Sequence, residues 1–165
     1  MNLIEILKNE FEQEVKTTEK FLKIVPAEKF DWKPHPKSMS LKQLSSHIAE
    51  IPGWVYFGLT SDVLDFSVTP YTPPNIQTNE KLIEIFEKSV SESKSVLKIE
   101  NESLLNKRWV MKNGAQIWMD ITKAELIRQS LSQMIHHRAQ LGVYLRLLDI
   151  PIPGSYGPSA DEKGQ

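Results

Sequence analysis

Four histidines are the only imidazoles in this chain, and two of them stand side by side in Gln133-Met134-Ile135-His136-His137-Arg138-Ala139-Gln140-Leu141. Imidazole moves protons near neutral pH and is the commonest protein ligand for transition metals, so such chemistry is to be sought here first. Neighbouring residues on a helix point roughly 100° apart, so His136 and His137 must serve different surfaces. Gln133 and His137 are four apart and stack on one helical face, a spacing at which two side chains can share a ligand. His47 is the histidine that can join them from another element. His35, between Pro34 and Pro36 on a polar connection, reads as an exposed bystander. With no cysteine in the sequence, thiolate ligands, a cysteine nucleophile and a disulfide framework are excluded.

The elements that must position these residues are legible as apolar periodicity. Leu3, Ile4, Leu7, Phe11, Val15, Phe21 and Leu22 recur at helical steps from about Leu3 to Val25, and Pro26 ends that helix. A second helix opens at Ser40, with Gln43 completing a capping box, and runs to about Leu59. His47 lies three after Leu44 and four before Ile51, so it points inward or to the margin of the buried stripe, where a histidine is either a ligand or a hydrogen-bonded core residue. Pro52 should kink this helix about one turn later, and a kink beside an inward histidine can widen a pocket. Ser61 to Gln77 reads as a loop with Pro70, Pro73 and Pro74 and no legible chemistry. Thr78 caps a third helix to about Ile99. Arg108 to Met119, with Asn113-Gly114 between strand-prone residues, signals a small β-hairpin. Thr122 and Glu125 box the start of a fourth helix that runs to about Asp149, before Pro151. Four amphipathic helices predict an all-α four-helix bundle, with a small β-hairpin between helices three and four and ligands drawn from facing helices.

Bulk properties bound the function. A chain of 165 residues, 40% hydrophobic, is long enough for one core, so 1–165 is expected to be a single domain with an extended tail at about 150–165. Twenty Lys+Arg against 21 Asp+Glu leave a net charge of -1 with no basic block, which disfavours nucleic acid. No run of roughly 18 apolar residues occurs, so no membrane span is expected, and without a basic leader the cytoplasm is the expected compartment. Trp54, Tyr56, Phe57, Trp109 and Trp118 lie outside the apolar stripes and would suit an exposed patch or packing under the hairpin.

Phe30-Asp31-Trp32-Lys33-Pro34-His35-Pro36, the stretch Leu44 to Trp54 around His47, His136 to Leu141 with Tyr144-Leu145-Arg146, and the tail Tyr156-Gly157-Pro158-Ser159-Ala160-Asp161-Glu162 together resemble the DinB family, the damage-inducible, YfiT-like group. The resemblance spans nearly the whole chain. It implies an up-down-down-up four-helix bundle, commonly a homodimer, with a divalent metal, zinc or nickel, held by three histidines. Carried over by position, those histidines fall on His47, His137 and Gln133. The last is a departure, because an amide oxygen is a harder and weaker donor than imidazole, so affinity should be low or metal absent. Ala139, where the family has glycine, is a small-for-small change. Glu50, His136 and Trp54 surround the set. Glu50 either orients an imidazole or faces water, and His136 is a supporting or surface residue. Arg138 and Arg146 are either packed stems with solvated heads or contacts to the tail. The implied activity is that of a metal-dependent transferase or isomerase acting with a low-molecular-weight thiol. The alternative is a non-catalytic bundle with a degenerate metal site that binds a small molecule or a protein partner.

Overall fold

A computed structural model describes residues 2–162, so Met1 and the last three residues of the expected tail lie outside it. Helices begin where side chains can satisfy their free N–H groups. Helix α1 (Leu3–Lys23) starts behind Asn2, boxed with Glu5. Helix α2 (Leu41–Glu50) starts behind Ser40, boxed with Gln43, and α3 (Gly53–Thr60) follows it closely. Helix α4 (Asn79–Val96) starts behind Thr78, and α5 (Lys123–Leu147) behind Thr122, boxed with Glu125. The apolar faces of α1, α2, α3, α4 and α5 meet in one core that includes Phe11, Leu44, Ile48, Phe86, Leu131 and Leu141.

Where one kinked helix is expected over about 40–59, the chain makes two. Pro52 has no N–H to continue the ladder, and across it the bonds tighten to three-residue steps, Trp54 N to Ile51 O and Val55 N to Pro52 O, both at 3.1 Å. Two buried serines give each of these oxygens a second donor. Ser130 Oγ on α5 donates to Ile51 O at 2.9 Å, and Ser93 Oγ on α4 donates to Pro52 O at 2.6 Å. The Ser93 oxygen also accepts from Tyr56 N at 3.1 Å, so its hydroxyl stands in the rung that would join Pro52 O to Tyr56 N. The break is thereby tied to the two helices behind it.

The molecule is mostly helical with a small three-stranded sheet rather than helical with two strands only. Strand β1 (Val63–Asp65) lies parallel to β2 (Arg108–Asn113), which lies antiparallel to β3 (Gln116–Thr122), in the order β1-β2-β3. Gly114 turns the chain between β2 and β3 at φ 58, a conformation that suits glycine. Asp65 fastens the third strand: its carboxylate accepts from Ser67 Oγ at 2.6 Å and Gly114 N at 3.0 Å, which holds its pKa far below the usual range. The segment 61–77, expected to be plain loop, thus contributes a strand. Trp109 on β2 is fully buried with its ring against the edges of Trp54 and Phe57, at centroid distances of 6.3 and 6.2 Å, whereas Tyr56 and Trp118 remain exposed.

Helices three and four end earlier than their patterns suggested. Helix α4 stops at Val96 before a 3-10 turn at Ile99–Leu104, and α5 stops at Leu147, where Asp149 takes a left-handed conformation at φ 59. The tail then folds back. Arg138, 2% exposed, donates to Glu14 Oε2 at 2.6 Å, Thr18 Oγ1 at 3.1 Å and Tyr156 Oη at 2.9 Å, and Tyr156 Oη donates to Glu14 Oε1 at 2.8 Å. Arg146 grips Asp161 with two bonds of 3.0 and 2.6 Å. Both arginines therefore hold the tail.

Replacing Ser93 by Ala should lower unfolding free energy by about 1–3 kcal/mol, because it leaves Tyr56 N without its acceptor and takes one of two donors from Pro52 O. Ser95→Ala, two residues on and exposed, should change it by no more than about 0.5 kcal/mol. Urea midpoints at constant slope measure both. Arg138→Met should cost more, about 3–5 kcal/mol, by leaving the Glu14 carboxylate buried without a partner, and adding Glu14→Leu should recover part of that loss.

Candidate functional site

His47 projects from the last turn of α2, one residue-turn before the Pro52 break, and is half-buried. It meets His137 of α5 edge-on, with ring centroids 4.7 Å apart and planes at 76°. The rotation of α5 that permits this is set by the neighbouring residue: with Arg138 turned into the core, His137 falls about 100° away, at the margin facing α2. His136 falls on the solvent side, exposed, with its ring 4.9 Å from that of His137. Gln140 Oε1 lies 2.7 Å from His137 Nδ1. An amide oxygen only accepts, so Nδ1 is the donor in this contact, and in the neutral tautomer that makes it, the lone pair lies on Nε2. Burial first, and the nearby His137 second, hold His47 below its ordinary value of 6.5. It is neutral at neutral pH.

Gln133 lies one turn before His137 on α5 and is exposed at the mouth of a cavity of about 180 Å³. That cavity is also lined by His47, Trp54 and Ser130, with Met111 and Met119 reaching in from the sheet. His47 thus touches His137 on one side and shares a cavity with Gln133 on another. Among the described residues, no group of three or more His, Cys, Asp or Glu side chains is placed to hold one ion. Two imidazoles and an amide oxygen make a weaker and harder donor set than three imidazoles, and they do not fit a three-histidine zinc or nickel site.

A larger cavity of about 510 Å³ opens on the other side of His47. His47, Glu50, Trp54 and Phe57 line it from α2 and α3, and Phe66 and Tyr71 line it from the segment that follows. Glu50 is held by the segment that follows α3: Tyr71 Oη donates to its Oε2 at 2.8 Å. Burial raises the Glu50 carboxyl above the usual carboxylate value, with the Tyr71 hydrogen bond opposing. Burial, and then the hydrogen bond to Glu50, push the Tyr71 phenol up to about 12. Phe66 and Tyr71 were invisible to motif reasoning, which found no chemistry between Ser61 and Gln77. The available signal was the run Pro70-Tyr71-Thr72-Pro73-Pro74, an aromatic held in a stiff segment instead of a flexible one.

The sequence profile described as the DinB family matches residues 2–164. Among solved structures, the chain is similar to a DinB-like protein from Bacillus subtilis, at 19% identity and a TM-score of 0.68 over 90% of this chain and 96% of that one. A DinB-family member from Exiguobacterium sibiricum is similar at 17% identity and a TM-score of 0.71, over 93% of this chain and 97% of that one. A DinB-like protein from Bacillus cereus is similar at 17% identity and a TM-score of 0.72, over 92% and 97% of the two chains. No curated protein matches the chain. At these identities the likeness speaks for the fold. No helix among the described residues is long and apolar enough to cross a membrane.

In metal-free protein the His47 ring should titrate below 6.5 by proton NMR, and His137→Ala should move the midpoint up part of the way, since burial is the larger cause. The unfolded imidazole takes a proton near 6.5 and the folded one only at lower pH, so the stability that comes from keeping His47 neutral is present above 6.5 and is lost as pH falls through the folded value. A His47 midpoint at or above 6.5 would contradict this placement.

Proposed function

The chain belongs to the DinB family, and from that premise we propose that it binds a small organic molecule in the larger cavity. The observation that carries this reading is a mostly apolar cleft of about 510 Å³ with few polar groups, His47 and Glu50 among them, converging on it. That size and lining are those of small-molecule sites in general. Ligand screening by NMR with neutral aromatic fragments should shift the Trp54 indole signal and Tyr71 first, and Trp54→Ala should weaken the binding about tenfold. Shifts confined to distant surfaces would remove the support for it.

A second reading keeps the family's metal chemistry, with His47, His137 and Gln133 as ligands to a zinc or nickel ion in a transferase or isomerase acting with a low-molecular-weight thiol. What favours it is the contact of His47 with His137 and the Nε2 lone pair that Gln140 leaves free. The weak donor set gives no basis for deriving a catalytic step through such an ion. Calorimetric titration of tag-free protein with zinc or nickel should show Gln133→His binding at least about tenfold tighter than wild type, with His137→Ala losing binding and His136→Ala retaining most of it. Equal affinity in wild type and Gln133→His would make the amide a competent ligand and turn the preference toward the enzyme.

The finer architecture belongs to the same proposal. The helices are read as an up-down-down-up four-helix bundle in which α2 and α3 together form the second arm, with β2 and β3 as its hairpin. The protein is read as a cytoplasmic homodimer. Support for pairing comes from Val143 and Leu147, 59% and 58% exposed, which continue a stripe from exposed Ala139 along α5. Light scattering at micromolar concentration should then give about twice the chain mass of 19.0 kDa.

A further inference from the structure

We propose that the larger cavity is a site for a small organic cation, with a quaternary or protonated amine set against the Glu50 carboxylate between the rings of Trp54, Phe57, Phe66 and Tyr71. This rests on the small-molecule reading of that cavity and names the chemical class of its ligand.

The first observation is an acid without a countercharge. Among the described residues no Lys, Arg or His side chain pairs with Glu50, and the group that hydrogen-bonds its carboxylate is the Tyr71 phenol, which is neutral. Among the described residues no Lys or Arg lines the cavity, and His47 within it is held neutral. A half-buried carboxylate in that setting repels anionic ligands and faces a neutral apolar one at a desolvation cost, whereas a cation compensates it. Burial holds the Glu50 carboxyl above its usual value, and a cation beside it would favour the ionised form.

The second observation is the character of the walls. Four aromatic rings line the same cavity, and the negative face of an aromatic ring attracts an ammonium group as aliphatic side chains do not. Three of the rings pack on other aromatics: Trp109 abuts Trp54 and Phe57, and Trp118 lies 5.3 Å from Phe66. Tyr71 is held by its bond to Glu50 itself. These contacts lower the cost of ordering the walls around a ligand.

The test compares choline with 3,3-dimethylbutan-1-ol, which has the same shape with carbon in place of the charged nitrogen. NMR titrations of the full chain at constant ionic strength should give choline an affinity at least about tenfold above that of the alcohol. Glu50→Gln, which keeps size and can still accept from Tyr71, should remove most of that difference, and Phe66→Leu should weaken choline more than the alcohol. Circular dichroism of each variant confirms that it folds. If the alcohol binds as tightly as choline, or Glu50→Gln binds choline like wild type, the cation assignment is overturned while the small-molecule reading stands. If neither probe binds but neutral aromatic fragments still shift Trp54, the cation assignment again fails alone. Silence from every probe overturns both.

Discussion

The site rests on a helical face that continues across the interruption at Ile51-Pro52. His47, Glu50, Trp54 and Phe57 stand at steps of three and four, so they share one face, and all four line the larger cavity. Ile51 and Pro52 keep right-handed helical dihedrals, which carries that face from α2 into α3. Across the interruption Trp54 N and Val55 N donate to Ile51 O and Pro52 O at 3.1 Å, and the Ser130 and Ser93 hydroxyls give those oxygens a second donor each. The Ser93 oxygen also accepts from Tyr56 N, so that donor keeps a partner. Two hydroxyl groups thereby tie the interruption to α4 and α5.

The opposite side of α5 is governed by charge. Arg138 and Glu14 are both almost fully buried, and burying an ion pair stabilises only when the remaining hydrogen-bonding capacity is met. Thr18 and Tyr156 meet it, and Tyr156 comes from the tail. The tail is thus part of the core's electrostatics. Because the guanidinium can be satisfied in one rotational setting of α5, the pair also fixes which neighbour looks where: His137 toward His47, His136 toward solvent. Gly142, four residues along, lies where an added Cβ would stand 3.3 Å from Phe21, so the same face of α5 approaches α1 closely.

Helix starts and the core stripe were legible because they depend on local rules. Capping residues at Ser40, Thr78 and Thr122 act over three positions, and Leu44, Ile48, Leu131 and Leu141 repeat at helical spacing. The family was legible through ordered fragments spread along the chain, and the profile match over residues 2–164 agrees. What was not legible depends on distant partners. Whether Pro52 kinks or divides a helix is decided by Ser93 and Ser130, 41 and 79 residues further on. Strand β1 has three residues and no alternation of its own, since it exists by pairing with β2. Arg138 is indistinguishable from a solvated arginine until Glu14 is placed 124 residues away. Tyr71 reveals its role only once the segment has folded over α2, where Glu50 waits for a donor.

Polarity within the site is distributed unevenly, and this bears on what it can recognise. On the side of the smaller cavity stand two amides, a serine hydroxyl and two thioethers, none of them charged. On the side of the larger cavity stands one carboxylate among aromatic rings. His47, common to both, is kept neutral by its burial and by His137, so it adds a hydrogen-bonding group without adding charge. Histidine at position 133 would bring a third imidazole beside the first two and make a cationic centre the natural occupant between α2 and α5. Glutamine there leaves that space uncharged and weakly ligating. The strongest unsatisfied electrostatic demand in this part of the molecule then belongs to Glu50. No positive side chain among the described residues answers it, and the aromatic walls around Glu50 favour a soft, weakly hydrated cation over a small, strongly hydrated one.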